Sequence, residues 1–154
     1  MIRCGGRTMK IALGSDEKTQ LTDVLADELR RRGHEVEVVG PPAGEDLQWV
    51  DVAERVARRV ASGEAQQGVL CCWTGTGVSM AANKVPGVRA ALCWDAETAQ
   101  GARRWNDANV LCLSLRATSD QLAKEILDAW FEALPDESAA ENIQKVRRLD
   151  DRGA

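Results

Sequence analysis

The chain holds a single histidine, His34, and its five cysteines form no Cys-x-x-Cys pair. Zinc sites draw on several His and Cys ligands at short spacing, so no metal site is expected. No apolar run approaches the ~20 residues needed to cross a bilayer, which excludes a membrane-spanning helix. Positive charge is not in excess: the formal net charge is −4 and the pI about 5.1, which excludes a broad nucleic-acid surface. Internal repeats and low-complexity stretches are absent. The first eight residues, Met1 to Thr8, lack the apolar core of a signal peptide and read as a disordered N-terminal extension before a second start at Met9. An odd cysteine count in such an acidic chain points to reduced thiols in the cytoplasm.

What is present is enough for one core. The 154 residues are 44% hydrophobic, which suits a single domain over 9–135 followed by a helical tail over 136–154 that is able to reach a partner subunit. Short apolar runs alternate with segments of helical period. Strands are expected at Lys10–Ser15, His34–Val39, Gly68–Cys72, Val88–Cys93 and Asn109–Leu113. Between them lie a helix with Leu21, Val24, Leu25 and Leu29 on one face, a helix with Trp49, Val52, Val56 and Val60, one starting at Val78, and one over Ala96–Arg104. Leu122, Ile126, Trp130 and Leu134 recur every four residues and mark a last amphipathic helix. The alternation implies a three-layer, Rossmann-like, doubly wound sheet of about five parallel strands with helices on both faces. Ligands of such sheets sit at the carboxyl ends of the strands, where Asp16-Glu17, Cys72–Gly77 and Asp95 fall on one rim. Asp95 also suits the N-cap of the helix from Ala96.

The chemistry concentrates in Leu70-Cys71-Cys72-Trp73-Thr74-Gly75-Thr76-Gly77-Val78. An apolar strand ends in a thiol, passes through a turn with two glycines and opens into a small-residue helix. Unpaired amides at a helix N-terminus favour negative charge, lower a cysteine pKa and steady an oxyanion. Cys71, Cys93 and Cys112 read as small core hydrophobes. Cys71 and Cys72, being adjacent in a strand, point to opposite faces and do not form a redox pair.

Gly14-Ser15-Asp16, the Thr74-Gly75-x-Gly77 loop after Cys72, Ala81 to Ala90 (AANKVPGVRA) and Asn106-Asp107-Ala108-Asn109-Val110-Leu111 together resemble the type B ribose-5-phosphate isomerase family, which includes the galactose-6-phosphate isomerase subunits. The resemblance runs from about Met9 to about Arg148. It implies an aldose–ketose isomerase that works through a cis-enediolate without metal or other cofactor, as a homodimer or homotetramer with the site between subunits. Cys72 matches the family's proton-transfer base. Thr74, Gly75, Thr76 and Gly77 fall in the loop whose amides hold the enediolate oxygens. Asp16 matches a residue that contacts the sugar, Asn106 lies in the segment beside the ring, and Arg116 matches a phosphate-binding arginine.

The chain departs from the family at several of these points. Glu17 stands where the family has a histidine, and Trp105 where it has the histidine that assists ring opening. Trp73 replaces a glycine after the cysteine, and Trp49 replaces a tyrosine. In the tail, Glu141 and Lys145 stand where two arginines often grip the phosphate. Imidazole and guanidinium are lost while indole and carboxylate are gained, so an altered substrate is expected, one that is not ribose 5-phosphate and is phosphorylated or not. Glu17, Trp73, Trp105, Asn106, Arg116 and Lys145 are the candidates for shaping its specificity. Loss of the ring-opening histidine leaves two readings open: an open-chain substrate such as a tetrose derivative, or Glu17 or Asp16 as the acid–base group. Two rival functions stand beside the isomerase. One is a non-catalytic sugar-binding member or partner subunit. The other is a dinucleotide-binding domain, against which Met80 occupies the position of the third fingerprint glycine.

Overall fold

The computed structural model describes residues 7–153, with side chains as far as Asp151. Most of the expected extension over Met1–Thr8, and Cys4 with it, lies outside the described residues; Arg7 and Thr8 enter the first strand without regular structure. The strands are β1 (Lys10–Ser15), β2 (Glu35–Val39), β3 (Gln67–Cys72), β4 (Ala90–Leu92) and β5 (Val110–Ser114). The helices are α1 (Gln20–Arg31), α2 (Trp49–Ala61), α3 (Thr76–Asn83), α4 (Ala96–Asn106), α5 (Asp120–Glu132) and α6 (Ala140–Leu149). All strand pairs are parallel, in the order β2-β1-β3-β5-β4. The direction of winding reverses between β1 and β3, where Ser15 pairs with Cys71. The crevice of a doubly wound sheet opens at such a reversal, outside the carboxyl ends of the two strands.

Period-two alternation divides the core between the two faces of the sheet. Ile11, Leu13, Val69, Cys71, Leu111 and Leu113 turn toward α1, α4 and α5. Ala12, Leu70, Cys72, Val110 and Cys112 turn toward α2 and α3. Because both faces are covered, the strands read as nearly continuous apolar runs. α2 lies very close to the sheet. A Cβ on Gly14 would come within 2.6 Å of Val52, and one on Gly68 within 2.7 Å of Val56. Glycine inside a strand here makes room for a helix.

The helix starts follow from local chemistry. Thr19 and Thr22 close a reciprocal capping box on α1, Asp95 accepts from the Thr98 amide at 2.7 Å, and Ser119 accepts from Leu122 at 3.1 Å. Beside shifts of one or two residues at the ends of β2, β3, β5 and α4, three expectations change. α3 begins at Thr76 rather than Val78, because Gly75 takes a left-handed turn (φ +79°) that starts the helix early. β4 contracts to Ala90–Leu92, an edge strand that pairs with β5 alone. The four-residue spacing misleads at Leu134, which lies past the end of α5 and is 72% exposed. It precedes Pro135, and a residue before proline is driven out of the helical region.

Candidate active site

Cys72 is the last residue of β3 and is almost wholly covered by the α2–α3 layer. The chain then turns sharply across the end of β5. The Leu115 amide donates to the Cys72 carbonyl at 2.9 Å, and the Trp73 carbonyl accepts from Arg116 N at 3.1 Å and Ser114 Oγ at 3.0 Å. The turn is pressed down so closely that a Cβ on Gly75 would meet the Leu113 backbone at 3.0 Å and Leu92 at 2.6 Å. Thr74 and Thr76 share a hydroxyl hydrogen bond of 2.8 Å across it. Gly75 offers no side-chain cap. The first amides of α3, from Thr76, Gly77 and Val78, therefore emerge without an intrahelical acceptor. They form a fixed set of donors one turn from the thiol.

Asp16 leaves β1 on the other lip of the crevice. Its neighbour Glu17 is fixed by Ser15 Oγ, which donates to the Glu17 carbonyl at 2.7 Å and accepts from its amide at 3.2 Å. Asp16 Oδ1 is buried and has no hydrogen-bond partner. Burial first, and then the charge of Glu17, raise the Asp16 carboxyl above its ordinary range. Burial raises the Cys71, Cys93 and Cys112 thiols as well, Cys93 to about 12, which leaves them as inert packing groups. Arg116, the second residue past β5, is exposed on this rim, and its guanidinium makes no ion pair among the described residues.

Within one chain, then, Asp16, Glu17, Cys72, Trp73, the Thr74–Gly77 turn and Arg116 share the carboxyl rim of the sheet. Trp105, Asn106 and Lys145 do not. α4 runs back from that rim, so its last residues stand at the opposite end, just before β5 begins. Val110 and Ser114 are four residues apart along β5, roughly 13 Å at about 3.3 Å per residue. At this amino rim Asp107, in a left-handed conformation (φ 47°), gathers three guanidiniums. Arg147 meets it at 2.7 Å, Arg103 at 3.3 Å and Arg89 at 3.4 Å, and Arg89 Nε also donates to the Asp107 carbonyl at 2.7 Å. Burial lowers Arg89 and Arg103 from their ordinary range, and Asp107 opposes that shift. α6 is tied to the same end, where Asp150 accepts from the Gly87 amide at 2.8 Å; Lys145 pairs with Glu141 at 3.1 Å within the helix itself.

Sequence reasoning missed one residue of the carboxyl rim. Trp94 stands between β4 and α4, 65% exposed; its signal was a large apolar residue placed directly before the Asp95 cap. It also left out the Asp107 hub, which only the fold assembles. No group of three or more His, Cys, Asp or Glu suited to a metal ion occurs among the described residues, and none of their helices is long and apolar enough to cross a membrane.

The sequence profile of the Ribose/Galactose Isomerase family matches residues 11–149. The chain belongs to the ribose/galactose isomerase family. It is thereby an aldose–ketose isomerase with the parallel α/β fold of that family. It is 40% identical over 127 residues to the D-erythrulose-4-phosphate isomerase of Pectobacterium atrosepticum, covering 81% of this chain and 84% of the relative. It is 42% identical over 125 residues to ribose-5-phosphate isomerase B of Escherichia coli, covering 80% and 84%. Among solved structures, ribose-5-phosphate isomerase B of Clostridium thermocellum superposes with a TM-score of 0.88 at 37% identity, covering 95% of this chain and 100% of that one.

Proposed function

We propose that this isomerase interconverts a short, open-chain aldose phosphate and its ketose through a cis-enediolate, with Cys72 moving the proton between C1 and C2. The observation that carries the reading is the position of Cys72, at the end of β3 in the switch-point crevice and one turn before the free amides of α3. In the aldose-to-ketose direction the Cys72 thiolate takes the proton from C2. The electron pair forms the C1–C2 double bond, and charge develops on the former carbonyl oxygen. Amides of the Thr74–Gly77 turn, held in place by β5, receive that charge without having to reorganise. The hydroxyl proton of O2 passes to O1 across the cis-enediolate, and the thiol returns its proton to C1, which leaves the ketone at C2 and a hydroxyl at C1. Asp16 Oδ1, an acceptor buried without a donor, is suited to a sugar hydroxyl, which orients the chain of carbons. Arg116 makes no ion pair among the described residues and is the group we assign to the phosphate. The buried, unpaired thiols fit a reducing cytoplasm.

Two features support a short substrate. Trp105 carries no group that titrates near neutrality, so it supplies no acid or base for opening a ring. A four-carbon ketose 4-phosphate needs no such step, and the relative at 40% identity is named for D-erythrulose 4-phosphate. Of the tail's cations, Lys145 is paired with Glu141 and Arg147 with Asp107, which leaves Arg148 without an ion pair among the described residues.

We further read the working unit as a pair of chains. Trp105, Asn106 and Lys145 stand a strand length from Cys72, so a single chain does not complete the site. Large apolar residues are exposed on both rims: Trp49, Trp73 and Trp94 on one, Trp105, Val146 and Leu149 on the other. Two copies related by a two-fold axis would bring each carboxyl rim to its partner's amino rim and complete two sites at once. NMR-detected deuterium exchange at C1 and C2 tests the activity, with phosphorylated and unphosphorylated tetroses and pentoses, wild type beside Cys72→Ala. Exchange with erythrulose 4-phosphate that depends on Cys72 is the expected result. Exchange that survives Cys72→Ala removes the thiol from the mechanism, and no exchange with any sugar favours a non-catalytic or paired-subunit member.

A further inference from the structure

Gly101 sits in the interior of α4, away from any turn, and its backbone is ordinary for a helix. Nothing in the backbone calls for glycine there. The reason lies one turn further on. A Cβ built on Gly101 would stand 2.7 Å from Trp105 Cζ3, 2.8 Å from Cε3 and 3.6 Å from Cη2. Side chains four apart lie one above the other on a helix, and each leans toward the N-terminus. The six-membered ring of the Trp105 indole therefore lies directly on bare backbone at position 101. Gly101 is buried beneath it, while Trp105 remains 56% exposed. An exposed indole on a helix ordinarily samples several rotamers. This one is seated, with the Cε3–Cζ3 side of its ring against its own helix and the rest of the indole exposed as an apolar wall.

We propose that Trp105 is a specificity-determining residue of the isomerase and Gly101 its positioning residue. Together they close the site of the neighbouring copy to sugars longer than four carbons. This inference rests on the reading above, in which the amino rim of one chain completes the site of another. The geometry supplies the discrimination. An indole is much larger than the imidazole that the resemblance places at this position, and it offers no acid–base group there. A longer aldose phosphate, which enters mostly as a ring, meets a wall where it needs both room and a proton donor. A short open-chain substrate meets an apolar surface that excludes water from the enediolate. Any side chain at 101 lifts the indole off the helix, so the wall loses its position without losing its chemistry. That separates seating from mere bulk.

The test is the ratio of kcat/KM for erythrulose 4-phosphate to that for ribose 5-phosphate in the wild type, Gly101→Ala, Trp105→Ala and Trp105→His. The thermal midpoint of each variant confirms that it is folded. The wild type is expected to favour the four-carbon substrate. The ratio should fall at least tenfold in Gly101→Ala and Trp105→Ala, mainly through a lower KM for ribose 5-phosphate. Trp105→His should lower it further by raising kcat for ribose 5-phosphate. If the wild type favours the tetrulose and the variants keep its ratio, the wall is overturned while the proposed substrate stands. If the wild type favours ribose 5-phosphate, the short-substrate reading fails and takes this inference with it.

Discussion

The two rims of the sheet are organised in opposite ways. At the carboxyl rim polar groups are left waiting: the first α3 amides have no side-chain cap, and Asp16 Oδ1 and the Arg116 guanidinium have no partner among the described residues. At the amino rim most of the charge is already answered. Asp107 holds Arg89, Arg103 and Arg147, Asp136 holds Arg104 at 3.0 Å, and Glu141 holds Lys145. An unsatisfied buried group costs stability and is retained where a ligand will satisfy it. A satisfied network stiffens whatever it surrounds. The lesson is that the same α/β unit presents one end built to react and one end built to hold its shape.

The comparison breaks most readily at Cys72. Replacement by serine should lower kcat by about 10² to 10⁴-fold, the range of a lost acid–base group, while the thermal midpoint hardly moves. A matching fall in stability would show that Cys72 belongs to the shape-holding part instead. Gly75→Ala comes next. Alanine at φ +79° is strained, and its Cβ would press on Leu113 at 3.0 Å, so the turn must shift and carry the amides with it. A loss of about 10²–10³ in kcat is expected, with about 1–3 kcal/mol of backbone strain visible in chemical denaturation. Unchanged kcat would mean that the amides do not meet the developing charge.

The fold was legible because both faces of the sheet are covered. Apolar strands such as Gly68–Cys72 and helix signals such as Val52, Val56 and Val60 are written locally, and so is the thiol–glycine turn. One local cue overruled another: Leu134 carried the right spacing and lost to the adjacent Pro135. The rest of what could not be read depends on the assembled fold. Asp107 looks like one more acidic residue until Arg89, Arg103 and Arg147 arrive from positions 18, 4 and 40 residues away. The division of the candidate residues between two rims was likewise hidden. It depends on the direction in which α4 runs, which no motif records.

Asp107→Ala sharpens the amino-rim side of the comparison. It strands three guanidiniums and removes the side chain that fixes a left-handed residue at the end of α4. A loss of about 1–3 kcal/mol in stability is expected, read in urea titration. KM should rise severalfold and kcat change little, because Asn106 and α6 lose their anchor while Cys72 is untouched. A fall confined to kcat would instead place Asp107 in the chemistry.

Asp16→Asn should have the smallest effect on stability, and with the opposite sign. The Asp16 carboxyl is raised in the folded chain by burial and by Glu17, so the fold binds its proton more tightly than the unfolded chain does. For such a group, ionisation in the fold is a penalty. It is absent below the ordinary carboxylate pKa of 3.8, grows as pH rises from there, and is complete above the raised folded value. Asparagine removes it. The thermal midpoint should therefore rise at pH 7, by the equivalent of less than about 1 kcal/mol because the carboxyl stands at a solvent-facing rim. The gain should shrink as pH is lowered toward 4, while activity falls at every pH. A gain that ignores pH would mean that packing, not charge, is relieved. Neutralising one aspartate at each rim thus has opposite consequences: at Asp107 it takes away a contact that the fold uses, and at Asp16 it takes away a charge that the fold tolerates for the substrate.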